Sequence, residues 1–188
     1  MSISAIRRAV CTAMIAAPAA VAVPLTAQSP NVGDVAPAFS LPGATAQGVT
    51  PKPVTLADYR GQTVVVAFFP KARTSGCTHQ MEAYRDRYAT LFHGGKKVTL
   101  IAISADADTT LYAWARDEKF PFTMASDKGG ALGTKYGVYN PDPGYESRVL
   151  FIVGPDGKIA YRAQPFRELV ETSYTDLGTA LDHTIGGQ

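Results

Sequence analysis

The sequence predicts an α/β domain built on a mixed central β-sheet flanked by helices on both faces. Three observations carry that expectation. Short, largely apolar runs rich in Val, Ile and Phe stand at residues 63–69, 98–104 and 149–153, the pattern of strands buried on both sides. Between and after them lie stretches with helical periodicity: Met81, Tyr84, Tyr88 and Leu91 behind Cys77, then residues 109–119, then 167–185 with Leu169, Val170, Leu177, Leu181 and Ile185. Finally, Pro155-Asp156-Gly157 is a tight turn between the run at 149–153 and a partner at 158–162, which adds an antiparallel hairpin to strands otherwise joined through helices.

The elements follow in order. Residues 1–27 differ in kind from the rest. Arg7 and Arg8 precede an uncharged Ala/Val-rich run at 9–23, and Leu25-Thr26-Ala27 offers a small-residue cleavage point. This is the layout of a secretory signal peptide, so the chain is expected to be exported, periplasmic or secreted, with residues 28–188 as its one domain. The apolar run is broken by Pro18 and is shorter than the ~20 residues of a membrane span, so no stable membrane insertion is expected. Residues 35–40 read as an edge strand limited by Pro37, and 41–53, with three Pro and two Gly, as a loop. Residues 56–61 form a single helical turn closed by Gly61. The strand at 63–69 is followed by a loop at 70–76 and the helix that Cys77 opens, which ends at His93-Gly94-Gly95. A strand at 98–104, a helix at 109–119 with Thr109 or Thr110 as cap, a short strand at 121–124 and a short helix at 129–136 complete the middle. No internal repeat is present. With 18 basic and 16 acidic residues, scattered and not striped, nothing points to nucleic acid.

Chemistry concentrates at one cysteine. Cys11 lies in the leader, which leaves Cys77 as the only cysteine of the mature chain, without an intramolecular disulfide partner. A lone cysteine is often a small buried hydrophobe. The first turn of a helix after a buried strand is a different setting, because unpaired N–H groups and the positive end of the helix dipole favour the thiolate there.

Pro70, Thr74 and Cys77 stand in the spacing P-x-x-x-T-x-x-C. This resembles the peroxidatic-cysteine motif of peroxiredoxins, and FFPKARTSGCTHQMEAYRD around it is most similar to the Q-type, or bacterioferritin comigratory protein, branch. GDVAPAFSLPG (33–43), VTLADYRGQTVVVAFFP (54–70) and SRVLFIVGPDGKI (147–159) resemble the same family in the same order. The resemblance implies a thioredoxin-like fold and a thiol-dependent peroxidase acting on hydrogen peroxide and organic hydroperoxides. It implies that Cys77 attacks the peroxide, that the Thr74 hydroxyl accepts from the peroxide and donates to the thiolate, and that the N–H groups near Gly76 and Cys77 bind the peroxide oxygens. Arg148 would hold the thiolate and orient substrate, and Pro70 would shield the sulfur. Taken singly, Thr74 also suits a cap or turn, Arg148 a salt bridge to Glu146, and Pro70 the end of a strand.

Two positions depart from the branch. Position 80, often Glu, is Gln80, on the same helical face as Cys77; position 82, where many members keep a resolving cysteine, is Glu82. A one-cysteine cycle follows, with an external thiol reductant of the thioredoxin, glutaredoxin or low-molecular-weight type, in a monomer or homodimer. His79 projects to another side of the helix and reads as a surface residue. His79, His93 and His183 have no metal-ligand spacing, and no Gly-rich phosphate loop precedes a helix, so neither metal nor cofactor is expected. A thiol–disulfide oxidoreductase would want C-x-x-C where this chain has Thr74. A peroxide sensor or binding module, whose oxidised Cys77 pairs with a client protein, shares the first chemical step.

Overall fold

The computed structural model describes residues 29–187; the signal segment and Cys11 lie outside the described residues. Among the described residues the main sheet has seven strands. Its centre is β5 (Thr63–Phe68), parallel to β6 (Val98–Ser104), which is parallel to β7 (Thr123–Ser126). On the other side β10 (Val149–Val153) runs antiparallel to β5, and β11 (Ile159–Ala163) closes that edge as the expected hairpin. The opposite edge is a hairpin of β2 (Gly43–Thr45) and β3 (Gly48–Val49), joined antiparallel to β7 through β2.

All six residues of β5 and all five of β10 are buried, because the period of two sends alternate side chains into two separate cores. Val65, Ala67, Leu100, Ala102, Leu150 and Ile152 meet α1 (Ser75–Asp86), α3 (Asp108–Glu118) and α5 (Glu171–Gly186). Val64, Val66, Phe68, Ile101, Ile103 and Phe151 meet Leu132 of the short α4 (Ala131–Lys135), Tyr136, and Ala36 and Phe39 of the N-terminal approach. The expected architecture is present, with three of the longer helices on one face. Arg87 breaks α1 from a single turn, α2 (Tyr88–Leu91).

Four local expectations are corrected. Residues 35–40 make one bridge, Val35 to Lys158, and only Ser40 enters a strand, β1 (Ser40–Leu41), paired with β4 (Val54–Thr55); Pro37 has no N–H for a ladder. The region read as a loop at 41–53 contains the β2–β3 hairpin. Gly43 is obligatory there, since a side chain would overlap Val54 and crowd the Thr50 hydroxyl. The α3 cap position is Ala107, and neither Thr109 nor Thr110 caps it. The last helix starts at Glu171, not 167, because residues 167–170 form a turn in which the Val170 N–H donates to the Arg167 carbonyl at 3.1 Å. A further short hairpin, β8 (Tyr139–Asn140) with β9 (Tyr145–Glu146), leads into β10.

Candidate active site

The site forms at the C-terminal end of β5. Pro70 is half-buried and follows Phe69, whose N–H makes a last bond to the Ile103 carbonyl at 3.0 Å. The chain then turns through residues 71–74 into α1. Two acidic groups hold this turn. The Asp106 carboxylate accepts from the Ala72 N–H at 2.7 Å and from the Ser104 hydroxyl at 2.9 Å. Arg73, in the left-handed region at φ 64°, pairs with Asp117 at 2.5 Å; that pair is exposed and its guanidinium holds the Asp117 carboxyl below its usual range.

Thr74 occupies the cap position of α1 with extended backbone, but its side chain does not cap the helix. Its hydroxyl hydrogen goes to the Lys71 carbonyl at 2.9 Å and not, as the resemblance implies, to the cysteine sulfur, because that carbonyl lies in the same tight turn; the oxygen's lone pairs are left to accept from elsewhere. The first helical bond is from the Thr78 N–H to the Thr74 carbonyl, so the N–H groups of the preceding turn have no intrahelical partner. Cys77 lies in that turn. It is a free thiol, fully buried, on the face it shares with Gln80, Met81 and Tyr84.

Arg148 reaches the cysteine across the sheet. Val149, the next residue, pairs with Phe68, so β10 delivers Arg148 to the end of β5 beside the loop. Each part of its guanidinium has a separate partner. Nη2 donates to Cys77 Sγ at 3.5 Å, Nη1 donates to Gln80 Oε1, and Nε pairs with Glu168 Oε2 at 3.0 Å. Gln80 is fully buried, and its Nε2 donates to the Tyr84 hydroxyl at 2.8 Å. Burial pushes the Tyr84 phenol far up, so it stays protonated. The salt bridge between Arg148 and Glu146 considered from sequence is not formed; Glu168 is the partner. His79 is exposed as expected, and Glu82 stands on the helix surface 3.8 Å from Arg85.

The structure thus brings Cys77, Thr74 and Arg148 around one turn, with the half-buried Pro70 at the start of the loop that leads into it. Sequence reasoning missed Glu168, Asp106 and the Gln80–Tyr84 support. Gln80 was recognisable as a neighbour of the cysteine by helical spacing. Glu168 carried no such signal, since it reaches Arg148 from the turn that replaces the first residues of the expected helix. A cavity of about 440 Å³ lined by Tyr59, Arg60, Gly154 and Asp156 lies at the opposite end of β5 and is separate from this chemistry.

Glu146 has its own role. Its Oε2 accepts from the Ala105 N–H at 2.8 Å, while Oε1 is buried without a partner among the described residues. Burial first, then Asp127 and Asp106, push its carboxyl up to about 8. A folded-state value above the unfolded one makes the carboxyl stabilising below its unfolded range. That contribution is lost as pH rises through about 8. Glu146→Gln is therefore expected to match the natural protein in stability near the acid end and to exceed it at pH 8. Urea unfolding across that range checks this, and parallel curves for the two proteins would refute it.

Residues 32–162 match the AhpC/TSA family. Over 143 residues the chain is 35% identical to peroxiredoxin Bcp of Escherichia coli, spanning 73% of this chain and 87% of that one. It is 38% identical over 103 residues to the chloroplastic peroxiredoxin Q of Sedum lineare, covering 53% of this chain and 54% of the relative. Among solved structures, peroxidoxin BcpB from Mycobacterium tuberculosis superposes with a TM-score of 0.71 at 24% identity, over 82% of this chain and 97% of that one.

Proposed function

On the premise that the chain belongs to the AhpC/TSA family, as a Q-type peroxiredoxin and hence a thiol-dependent peroxidase, we propose that Cys77 is its peroxidatic residue. The observation that carries the assignment is the Arg148 Nη2 donor 3.5 Å from the buried Cys77 Sγ, in a helix turn whose own N–H groups lack intrahelical partners. The thiolate attacks one peroxide oxygen, the O–O bond breaks, and the second oxygen leaves with the electron pair. Protonation turns it into water or an alcohol, and sulfur is left as the sulfenic acid. Arg148 and the helix N–H groups stabilise the charge that moves from sulfur to the leaving oxygen. The Thr74 oxygen, with its own hydrogen committed to Lys71, accepts the peroxide O–H. Pro70 walls the entrance.

An external thiol then attacks the sulfenic sulfur and expels water. A second thiol cleaves the mixed disulfide, returning Cys77 as thiol and leaving the oxidised reductant. Glu82 in place of a second cysteine, and Cys77 as the only cysteine of residues 28–188, support this one-cysteine cycle. Residues 1–27 are assigned as a cleaved export signal, which places the reaction outside the cytoplasm; N-terminal sequencing of the fractionated protein tests that. The sensor reading has no observation of its own in its favour.

The test of the peroxidase site is stopped-flow oxidation of the mature protein by hydrogen peroxide, beside Cys77→Ser. We expect oxidation orders of magnitude faster than that of a free thiol, and none in the variant. A natural protein no faster than free cysteine at the same pH would overturn the assignment.

A further inference from the structure

Arg148 is the cation that contacts Cys77, and what fixes its orientation decides whether it serves the reaction. A guanidinium in contact with sulfur through one nitrogen can swing about that contact unless its other nitrogens are held. Gln80, a neutral amide, holds one; the charge comes from Glu168, the only carboxylate paired with Arg148 among the described residues. The Arg148 and Glu168 side chains are 14% and 20% exposed, so this pair is far less screened than the surface pairs elsewhere on the chain.

Glu168 is also placed with care. The Phe166 N–H donates to the Arg148 carbonyl at 2.9 Å, tying the incoming loop to the arginine's own backbone. The Tyr174 hydroxyl donates to the Glu168 carbonyl at 2.8 Å, fixing the loop to α5. The carboxylate then lies over Gly76, next to the cysteine. A Cβ on Gly76 would stand 2.6 Å from Glu168 Oε1 and 3.2 Å from Arg148 Nη2, so the glycine leaves the room that the pair occupies.

We propose that Glu168 is a positioning residue of the peroxidase site, supplying from the loop after β11 the counter-charge that aims Arg148 at Cys77. It acts through Arg148 and does not itself touch the reacting atoms. This rests on the assignment of Cys77 and Arg148 above. The same counter-charge can be delivered from position 80, because Gln80 Oε1 already accepts from Nη1 and the Tyr84 hydroxyl can donate to a carboxylate placed there.

The test is charge relocation. Glu168→Gln, Gln80→Glu and the double variant are compared with the natural protein by stopped-flow oxidation with hydrogen peroxide, with thermal unfolding alongside. Glu168→Gln is expected to slow oxidation about tenfold with an unchanged unfolding midpoint, and the double variant to recover to within about threefold of the natural protein. A structural role alone would not be rescued from position 80. If Glu168→Gln leaves the rate unchanged, or if the double variant is slower than either single one, the proposal fails while the peroxidase assignment stands. If the natural protein itself is no faster than free thiol, the underlying assignment fails first.

Discussion

Arg148→Met is expected to slow peroxide oxidation of Cys77 by roughly 10²–10³-fold, the range seen when one preorganised donor is removed from a transition state. Methionine keeps much of the side-chain length and apolar stem, so the loss falls on the guanidinium. The effect is large because the group is fixed before substrate arrives: Nη2 contacts Sγ at 3.5 Å, Glu168 holds Nε at 3.0 Å, and Gln80 holds Nη1. No reorganisation is then needed as negative charge moves off sulfur. Arg148→Lys should recover little of the loss, since an ammonium is a point charge and cannot meet three partners in one plane. Stopped-flow rates for both variants against the natural protein check this. A Met variant within about threefold of the natural rate would remove Arg148 from the reaction and leave the helix N–H groups as the sulfur's support.

Why the arginine was legible and its partners were not follows from the kind of information each residue carries. Cys77, Thr74 and Pro70 lie within eight residues, so one spacing describes them. Arg148 is distant, and the resemblance of residues 147–159 to the family, not any spacing, singles it out; the pairing of Val149 with Phe68 then explains how it reaches the cysteine. The sheet centre was readable, because β5, β6 and β10 are dominated by apolar residues on both faces, which marks them as buried strands without knowledge of the neighbours. Glu168 is the opposite case. Apolar periodicity at Leu169 and Val170 extended the last helix backward across it, but Leu169 is 73% exposed and the segment is a turn. The pattern there was fortuitous, and tertiary bonds from Phe166 and Tyr174 decided the backbone. The β2–β3 edge failed for a related reason. Its strands of three and two residues are too short to show a period, and they exist because β7 offers an edge to pair with.

Tyr84→Ala is expected to cost about 3–5 kcal/mol of folding stability, the range for truncating a buried aromatic side chain. Tyr84 is fully buried where α1 meets α5 and the sheet. Its ring lies edge-on to Phe92 at 5.4 Å, Tyr174 at 6.1 Å and Phe122 at 6.4 Å, and tilted against Phe166 at 6.0 Å. Removing it empties the junction between the helix carrying Cys77 and the segment that leads to Glu168. Tyr84→Phe separates packing from polarity. It keeps the ring and deletes the hydroxyl that accepts from Gln80 Nε2, leaving a buried amide donor unpaired at a cost of about 1–3 kcal/mol. It also removes the bond that anchors the far end of the Gln80 amide, so the acceptor that holds Arg148 Nη1 is less firmly fixed. Tyr84→Phe should therefore slow peroxide oxidation as well as lower stability, although the residue touches neither sulfur nor substrate. Urea unfolding of the reduced protein and stopped-flow oxidation, run on both variants, check this. A Phe variant with natural stability and natural rate would show that the amide finds another acceptor and that the chain from Tyr84 through Gln80 to Arg148 does not act on the cysteine.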